Sequence, residues 1–292
     1  MKLKQTILIA LLVLAAADGS AQGLTGTLKK IKDTGVLTIG FREASVPFSF
    51  IGPSRQPMGY SIDLCLAIVE SIKRELGANV DVKYIDVNPQ NRIALVVNNV
   101  VDLECGQTTN NAERRKQVAF SPTIFVSGTK LMVKSWSKFR SYRDLRGKTV
   151  VVAQGTTNEA VIRKVDRRDN LQLKIVPVPE NGDALRSLGA GQADAWAGDD
   201  IVLFAAAMTA RGPTYAVLDQ YLSYEPFGIM YRIDPPLDAL VQHTFEQMAQ
   251  SGELGRIYDQ WFMRRLPSGQ RLGVPMSPEL AAVFESLGQP SQ

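Results

Sequence analysis

Residues 95–110, LVVNNVVDLECGQTTN, share an outline with residues 185–200, LRSLGAGQADAWAGDD. Each segment runs from an apolar helix end through a turn and an aspartate into a short apolar stretch with a polar exit. A short apolar stretch of this kind is typical of a buried strand. The outline occurs in both halves of the chain but is not a tandem repeat, so it predicts two similar α/β lobes.

The flanking segments alternate between strand and helix patterns. Helices are predicted at 60–77 and 91–99, and the apolar positions of the first are Ile62, Leu66, Val69 and Ile72. Strands are predicted at 36–42, 80–87, 101–105 and 173–178. This alternation predicts parallel strands joined by crossover helices, with ligands bound beyond the strand C-termini.

Two polar turns follow predicted strands and open predicted helices: TTNNAERR (108–115) and GTTNEAVIR (155–163). The pairs with the spacing of a capping box are Asn110 with Glu113 and Thr156 with Glu159. A helix start presents unpaired N–H groups and a partial positive charge, which favour carboxylates. Two such starts on two lobes, with Arg114 beside the first, would grip a small anion.

Two neighbouring aspartates precede the apolar helix IVLFAAAM (201–208), and one of them can serve as its N-cap. We assign the cap to Asp200, which leaves Asp199 for a ligand. In the same way, capping by Thr156 leaves the hydroxyl of Thr157 free.

Composition limits the function classes. The chain has 292 residues, of which 45% are hydrophobic and 21% charged, enough for two lobes. Its net charge is +4, and the basic residues are scattered, which argues against nucleic acid. The single histidine, His243, argues against a catalytic triad and a histidine-rich metal site, and no cofactor or metal is predicted.

The N-terminus MKLK, the apolar run TILIALLVLAAA and the small residues that follow predict a cleaved signal peptide at 1–21. The run is too short to span a membrane comfortably. Export makes a disulfide between Cys65 and Cys105 possible, but both could equally be buried thiols.

Six segments, in order, resemble one family: GFREASVPFSF (40–50), MGYSIDL (58–64), PQNRIAL (89–95), ECGQTTNNAERRKQVAFSPTIFVSGTKL (104–131), VVAQGTTNEA (151–160) and AGDD (197–200). They resemble the periplasmic glutamate/aspartate-binding proteins, of the polar-amino-acid group of bacterial extracellular solute-binding proteins that supply ABC importers. The resemblance covers about residues 24–285. It implies a monomeric periplasmic receptor that captures a free acidic amino acid and delivers it to an inner-membrane ABC permease.

The resemblance also implies the fold. It is the two-lobed periplasmic-binding-protein fold, in which each lobe is a mostly parallel sheet flanked by helices. Lobe 1 would comprise 22–126 and 227–292, and lobe 2 would comprise 127–226. A two-strand hinge near 126–129 and 225–228 would join them, with Gly128 and Gly228 absorbing the rotation.

The resemblance assigns roles to six residues. Arg114 corresponds to the arginine that binds the ligand's α-carboxylate, Thr109 and Thr157 to its hydroxyl partners, Asp199 to the partner of the α-ammonium, and Arg42 with Arg92 to the pair that receives an acidic side chain. A planar guanidinium fits a carboxylate bidentately. Three arginines and one aspartate would come close to balancing the charge of a dicarboxylic amino acid.

Three positions depart from that family. Gln107 and Pro89 replace serines, and Asn181 replaces a histidine, all near the side-chain end of the ligand. Aspartate, glutamate, glutamine and related dicarboxylates therefore all stay open as ligands, and Gln107 and Asn181 join the candidate site.

Other interpretations exist. The same fold serves periplasmic dehydratases that act on prephenate-like carboxylates, for which Glu104 or Glu180 could be the general acid. A sensory module that signals to a membrane partner is a third possibility. From local rules alone, Arg42 could instead form a surface ion pair with Glu43.

Overall fold

The computed structural model describes residues 24–289 except 211 and 213. The predicted signal segment at 1–21 lies outside the described residues. Among those residues, no helix has both the length and the apolar character that a membrane span would need.

Residues before Gly128, where the chain first passes from one lobe to the other, build most of the first lobe. Its elements are α1 (Gly26–Thr34), β1 (Val36–Phe41), β2 (Ala44–Ser45), β3 (Ser49–Ile51), β4 (Pro57–Met58), α2 (Tyr60–Leu76), β5 (Asp81–Asp86), α3 (Arg92–Val97), β6 (Leu103–Thr109), β7 (Val118–Phe120) and β8 (Phe125–Ser127). The second lobe contains β9 (Thr129–Lys134), β10 (Thr149–Ala153), α4 (Thr157–Asp169), β11 (Lys174–Val178), α5 (Asn181–Gly189), β12 (Ala195–Asp199), α6 (Asp200–Thr209) and β13 (Tyr215–Val217). The chain then returns to the first lobe as β14 (Glu225–Arg232), α7 (Pro235–Gln250), α8 (Glu253–Tyr258) and α9 (Pro278–Gly288).

Each lobe has its own main sheet. The first has strand order β5-β1-β6-β14-β7, with β8 also paired to β14, and the second has order β11-β10-β12-β9-β13. In both, a crossover unit supplies three parallel strands, β5-β1-β6 and β11-β10-β12, and antiparallel strands complete the sheet. The predicted two-lobed α/β architecture is confirmed.

The chain passes between the lobes at Gly128, which separates β8 from β9. A Cβ atom on Gly128 would lie 2.3 Å from the carbonyl oxygen of Ser223 in the returning segment. The two crossings are therefore packed against each other, and a side chain at position 128 would push them apart.

The first lobe carries the larger core. Phe48 is fully buried, and its ring lies within 6.1 Å of the rings of Tyr60, Phe125, Phe227 and Phe262 in edge-to-face packing. Cys65 on α2 and Cys105 on β6 form a disulfide, which settles the alternative that the sequence left open. This bond ties α2 to the strand that ends at the candidate site.

Helix α2 follows its predicted pattern with one exception. Ile62, Val69 and Ile72 are buried, and Gly77 ends the helix in the left-handed conformation with φ of 58°. Contrary to the prediction, Leu66 is 36% exposed and does not join the core. Its neighbour Cys65 points toward the sheet through its bond to Cys105 on β6, and successive side chains of a helix are rotated by about 100°.

Candidate functional site

The C-terminal ends of β6 and β12 and the start of α4 meet between the lobes around a small cavity. Its volume is about 10 Å³, room for about one water molecule. An amino acid can therefore enter only if the lobes separate or side chains move. The lining residues are Arg42, Arg92, Gln107, Thr109, Thr156, Thr157, Asn158, Asn181 and Asp199.

Seven of the eight residues selected from the sequence line this cavity, and Arg114 does not. Arg114 is buried behind it, where its Nη1 donates to the carbonyl oxygen of Thr109 at 2.9 Å. Burial lowers the pKa of Arg114, while the charges of Glu104, Glu225 and Asp199 act against that shift. Arg114 and Asp199 are thus close enough to influence each other electrostatically, although the guanidinium is set back from the cavity.

Arg92, which lines the cavity, is also buried. Burial and then the charge of Arg114 lower the pKa of Arg92 to about 9, and Glu104 opposes this. Its Nη1 donates to Thr108 Oγ1 and lies 4.0 Å from Glu104 Oε1. The buried Nε of Arg92 has no hydrogen-bond partner, so this cation retains an unused donor near the cavity.

Asp199 supplies the negative counterpart. Its side chain makes no cap contact with α6, and its Oδ1 is buried without a partner, while Oδ2 accepts from Gln107 Nε2 at 3.4 Å. Burial and the charge of Glu225 raise the pKa of Asp199 to about 7, and the side-chain amide of Asn158 and then the charge of Arg92 oppose the shift. A cationic group placed beside Oδ1 would therefore be favoured twice, by hydrogen bonding and by charge.

Asp200 does not take the N-cap position assigned to it from the sequence. It is the first residue of α6, and Asp199 holds the N-cap position. The Asp200 carboxylate is occupied by the backbone N–H of Ile201 and the hydroxyls of Ser127 and Tyr221. The expected division still results, because Asp200 stabilises the helix start and Asp199 faces the cavity.

The two polar turns differ from each other. Thr156 caps α4 as predicted, since its hydroxyl accepts from Glu159 N at 3.1 Å. The Glu159 carboxylate, however, accepts from the backbone N–H of Gly155 instead of that of Thr156. The predicted capping box of Asn110 and Glu113 is wrong. Residues Arg114–Lys116 form a single 3-10 turn, since β7 begins two residues later at Val118, and it is Asn111 whose Oδ1 accepts from Arg114 N.

Glu225, at the start of β14, is a residue that sequence reasoning missed. Its Oε2 accepts from the hydroxyls of Thr109 at 2.6 Å and Thr157 at 2.5 Å, and its Oε1 accepts from Ser223 at 2.8 Å. Thr109 belongs to the first lobe and Thr157 to the second, so one buried carboxylate bridges both. The signal was an acidic residue directly before an apolar strand in the predicted hinge.

Arg42 is buried, at 1% exposure, which excludes the surface ion pair with Glu43. Its Nη2 donates to Glu180 Oε2, a contact that crosses between the lobes. Gln90 also crosses, donating to the carbonyl oxygen of Gln154 at 3.0 Å. Glu104, Glu180 and Glu225 add three carboxylates to that of Asp199. The arginines therefore meet more carboxylates than the single aspartate assumed from the sequence, and the expected charge balance is wrong.

A larger cavity of about 270 Å³ adjoins the first and shares Asn181 with it. Its other lining residues are mostly apolar, among them Val46, Phe50 and Leu185. The smaller cavity is the better candidate because Arg42, Arg92 and Asp199 line it. In the described part of the chain, no cluster of histidine, cysteine, aspartate and glutamate could hold a metal ion.

Curated relatives indicate the kind of protein. The chain is 40% identical over 289 residues to the L-glutamate/L-aspartate-binding protein of Pseudomonas aeruginosa, covering 97% of this chain and 95% of the relative. It is 38% identical over 276 residues to the glutamate/aspartate import solute-binding protein of Escherichia coli, covering 93% and 91%. These relatives are binding proteins, which confirms the prediction of a non-enzyme over a dehydratase. Consistent with this, Glu104 is fully buried and accepts the Thr108 hydroxyl at 2.6 Å.

Solved structures agree on the fold. A mutant of ArgBP from T. maritima superimposes with a TM-score of 0.72 at 30% identity, covering 81% of this chain and 99% of that one. Residues 37–264 match the family described as bacterial extracellular solute-binding proteins, family 3. That match spans most of the chain, and we conclude that the protein belongs to this family of solute-binding proteins.

Proposed function

We propose that this protein captures an acidic amino acid, glutamate or aspartate, and delivers it to an ABC permease of the inner membrane. The observation that carries the proposal is that Arg92 and Asp199 line one cavity between two lobes, with Arg114 buried behind it and within electrostatic reach of Asp199. Buried charges of both signs, with an unpartnered Nε on Arg92 and an unpartnered Oδ1 on Asp199, suit a zwitterion.

Asp199 would accept the α-ammonium group. An ammonium ion beside a desolvated carboxylate favours the ionised form, so ligand binding would reverse the raised pKa of Asp199. Gln107, which already contacts Oδ2, would hold the carboxylate in place.

The α-carboxylate would bind near Thr157 and the guanidinium of Arg114. The hydroxyls of Thr109 and Thr157 both donate to Glu225 in this structure. On binding, they would turn from Glu225 toward the ligand or be shared between the two carboxylates. The start of α4 adds backbone N–H groups, because Thr156 caps only one of them.

Arg92 and Arg42 would receive the side-chain carboxylate, with the amides of Gln107 and Asn181 beside them. Two guanidinium groups favour an acidic side chain over a neutral one once water is excluded. The amides can hydrogen-bond an acid or an amide, so they alone do not separate glutamate from glutamine.

Closure follows from the division of these groups between lobes. Taking 22–126 with 227–292 as lobe 1 and 127–226 as lobe 2, the ligand contacts both only when they approach. It therefore shifts the population toward the closed form that a permease would recognise. A signal peptide at 1–21 would deliver the monomeric protein to the periplasm.

The test is a calorimetric titration of the mature protein with L-glutamate, L-aspartate, L-glutamine, L-arginine and succinate. One-to-one binding of glutamate or aspartate at least roughly tenfold tighter than that of arginine and succinate supports the proposal. Preference for arginine, or no binding to any of the five, would overturn it. A thermal-shift screen of the same compounds gives an independent readout, since a ligand of the folded form raises its melting temperature.

A further inference from the structure

The contact between Arg42 and Glu180 joins two residues that are 138 positions apart in the chain. Arg42 follows β1 in the first lobe, and Glu180 directly precedes α5 in the second. The side chains are 2% and 26% exposed, so the arginine is buried and the glutamate enters from the rim of the cleft.

Both partners are held by their own lobes. The backbone N–H of Arg42 donates to Ser49 Oγ at 2.9 Å, and that of Glu180 donates to Asp183 Oδ2 at 3.2 Å. The contact is therefore set by two fixed backbone positions, and its geometry depends mainly on how closely the lobes approach.

Other carboxylates near Arg42 do not take this place. Glu43 and Asp86 are largely exposed and make no hydrogen bond with the Arg42 side chain. Partial desolvation and the charges of Glu43 and Glu180 raise the pKa of Asp86, and the charge of Arg42 lowers it. Glu180 is the carboxylate in direct contact with the guanidinium. The Nε of Arg42 is buried without a partner, so Arg42 still has a donor to offer.

We propose that Glu180 is a specificity-determining residue, whose carboxylate competes with the ligand's side-chain carboxylate for Arg42. This inference rests on the proposed function, which assigns Arg42 to that ligand group. An acidic ligand must displace Glu180 or share the guanidinium with it, against the repulsion of two carboxylates. A ligand with a neutral amide leaves the pair intact, and the pair then helps to hold the closed lobes together.

The sign of the effect therefore depends on the ligand. Removing the Glu180 charge frees Arg42 for glutamate and strengthens its binding. The same change removes a contact between the lobes from the closed complex with glutamine and weakens that binding. A general change in cleft charge would not produce opposite signs, because glutamine carries no net charge to respond to it.

The test compares Glu180→Gln with the matched control Glu43→Gln, which removes the same charge one residue from Arg42. Calorimetry with L-glutamate and L-glutamine at fixed ionic strength gives both affinities. Glu180→Gln should raise the glutamate affinity roughly tenfold and lower the glutamine affinity roughly threefold, the range expected for one charge-assisted hydrogen bond. Glu43→Gln should change either by less than about twofold.

Glutamate and glutamine affinities that move together in Glu180→Gln, or glutamate affinities alike in the two variants, would overturn the inference while leaving the proposed function intact. If glutamine binds too weakly to measure, the difference between the variants toward glutamate decides. A wild-type protein that binds no acidic amino acid refutes the proposed function instead. Small-angle scattering without added amino acid then tests the pair itself, since Glu180→Gln should enlarge the radius of gyration and Glu43→Gln should not.

Discussion

The two faces of the cleft are built from different chemistry. The first lobe contributes buried guanidinium groups, with Arg42 and Arg92 at the cavity and Arg114 behind it. The second presents the neutral hydroxyl and amide groups of Thr157 and Asn181 with the carboxylate of Asp199. The cationic face rests on the larger aromatic core, and the disulfide fixes its strand β6 to α2. Buried cations need such a rigid support because each must keep its few partners in place. The first lobe is thus suited to hold an anion, and the second to complete its coordination on closure.

The largest expected effect concerns the rigidity of the first lobe. Replacing Cys65 and Cys105 together by alanine removes a link across 40 residues, which the chain-entropy estimate values at roughly 4 kcal/mol of unfolding free energy. Hydrogen exchange should accelerate in α2 and β6 and stay nearly unchanged in α4 and β12. Equal acceleration in both lobes would show that they unfold as one unit and would break the comparison.

The cationic face should dominate affinity. Arg114→Ala is expected to weaken glutamate binding roughly hundredfold or more in calorimetry, since it leaves neighbouring buried carboxylates unpaired. The adjacent Arg115 is exposed and bonds to Asn110, which makes Arg115→Ala the matched control with a change below about twofold. Near-native affinity of Arg114→Ala would contradict its assignment to the carboxylate.

The carboxylate of the second lobe should make binding pH-dependent. The pKa of Asp199 is raised to about 7, so the free cleft is increasingly protonated as the pH falls below 7 and loses its attraction for an ammonium group. Glutamate affinity should fall roughly tenfold from pH 8 to pH 6, because the ligand must then compete with a proton. Asp199→Asn should abolish this dependence, whereas replacing the exposed His243 by glutamine should preserve it.

A retained pH dependence of binding in Asp199→Asn would assign the proton to another group.

The pH dependence that Asp199 gives to the free energy of unfolding has the opposite sign to that of a salt-bridged aspartate. Because the folded pKa of Asp199 lies above its ordinary value, the folded protein binds the proton more tightly than the unfolded chain does. Its contribution to stability is therefore greatest at low pH and is lost as the pH rises toward 7.

The smallest expected effect concerns the neutral groups of the second lobe. Thr157→Val removes one hydroxyl donor that now bonds to Glu225. Glutamate affinity should fall roughly three- to tenfold, the range for one neutral hydrogen bond. Thr244→Val deletes a hydroxyl that bonds only to Leu240 O on α7 and should leave affinity unchanged. A loss as large as that of Arg114→Ala would remove the distinction between the two faces.

Sequence reasoning succeeded for most features that neighbouring residues decide, although the capping box at Asn110 and the N-cap at Asp200 were wrong. The alternation of strands and helices, the end of α2 at Gly77 and the cap at Thr156 all depend on contacts within a few positions. Where too few residues separate two strands, as at Arg114–Lys116, the predicted helix is only a single 3-10 turn. Polar residues at strand ends, such as Thr109 and Asp199, were recognisable because these ends gather at one edge of a sheet, whereas Arg42, Arg92, Gln107 and Asn181 were identified through the family resemblance.

The sequence by itself determined the two α/β lobes and most of the side chains that line the cleft between them. Only the tertiary structure decided that Cys65 bonds to Cys105, that Glu225 accepts hydroxyls from both lobes, and that Arg42 faces Glu180. Helix caps and side-chain periodicity act over about four residues, so they can be read from the chain. A hydrogen bond or disulfide across 40 to 138 residues depends on distances that only the packing of the whole chain sets.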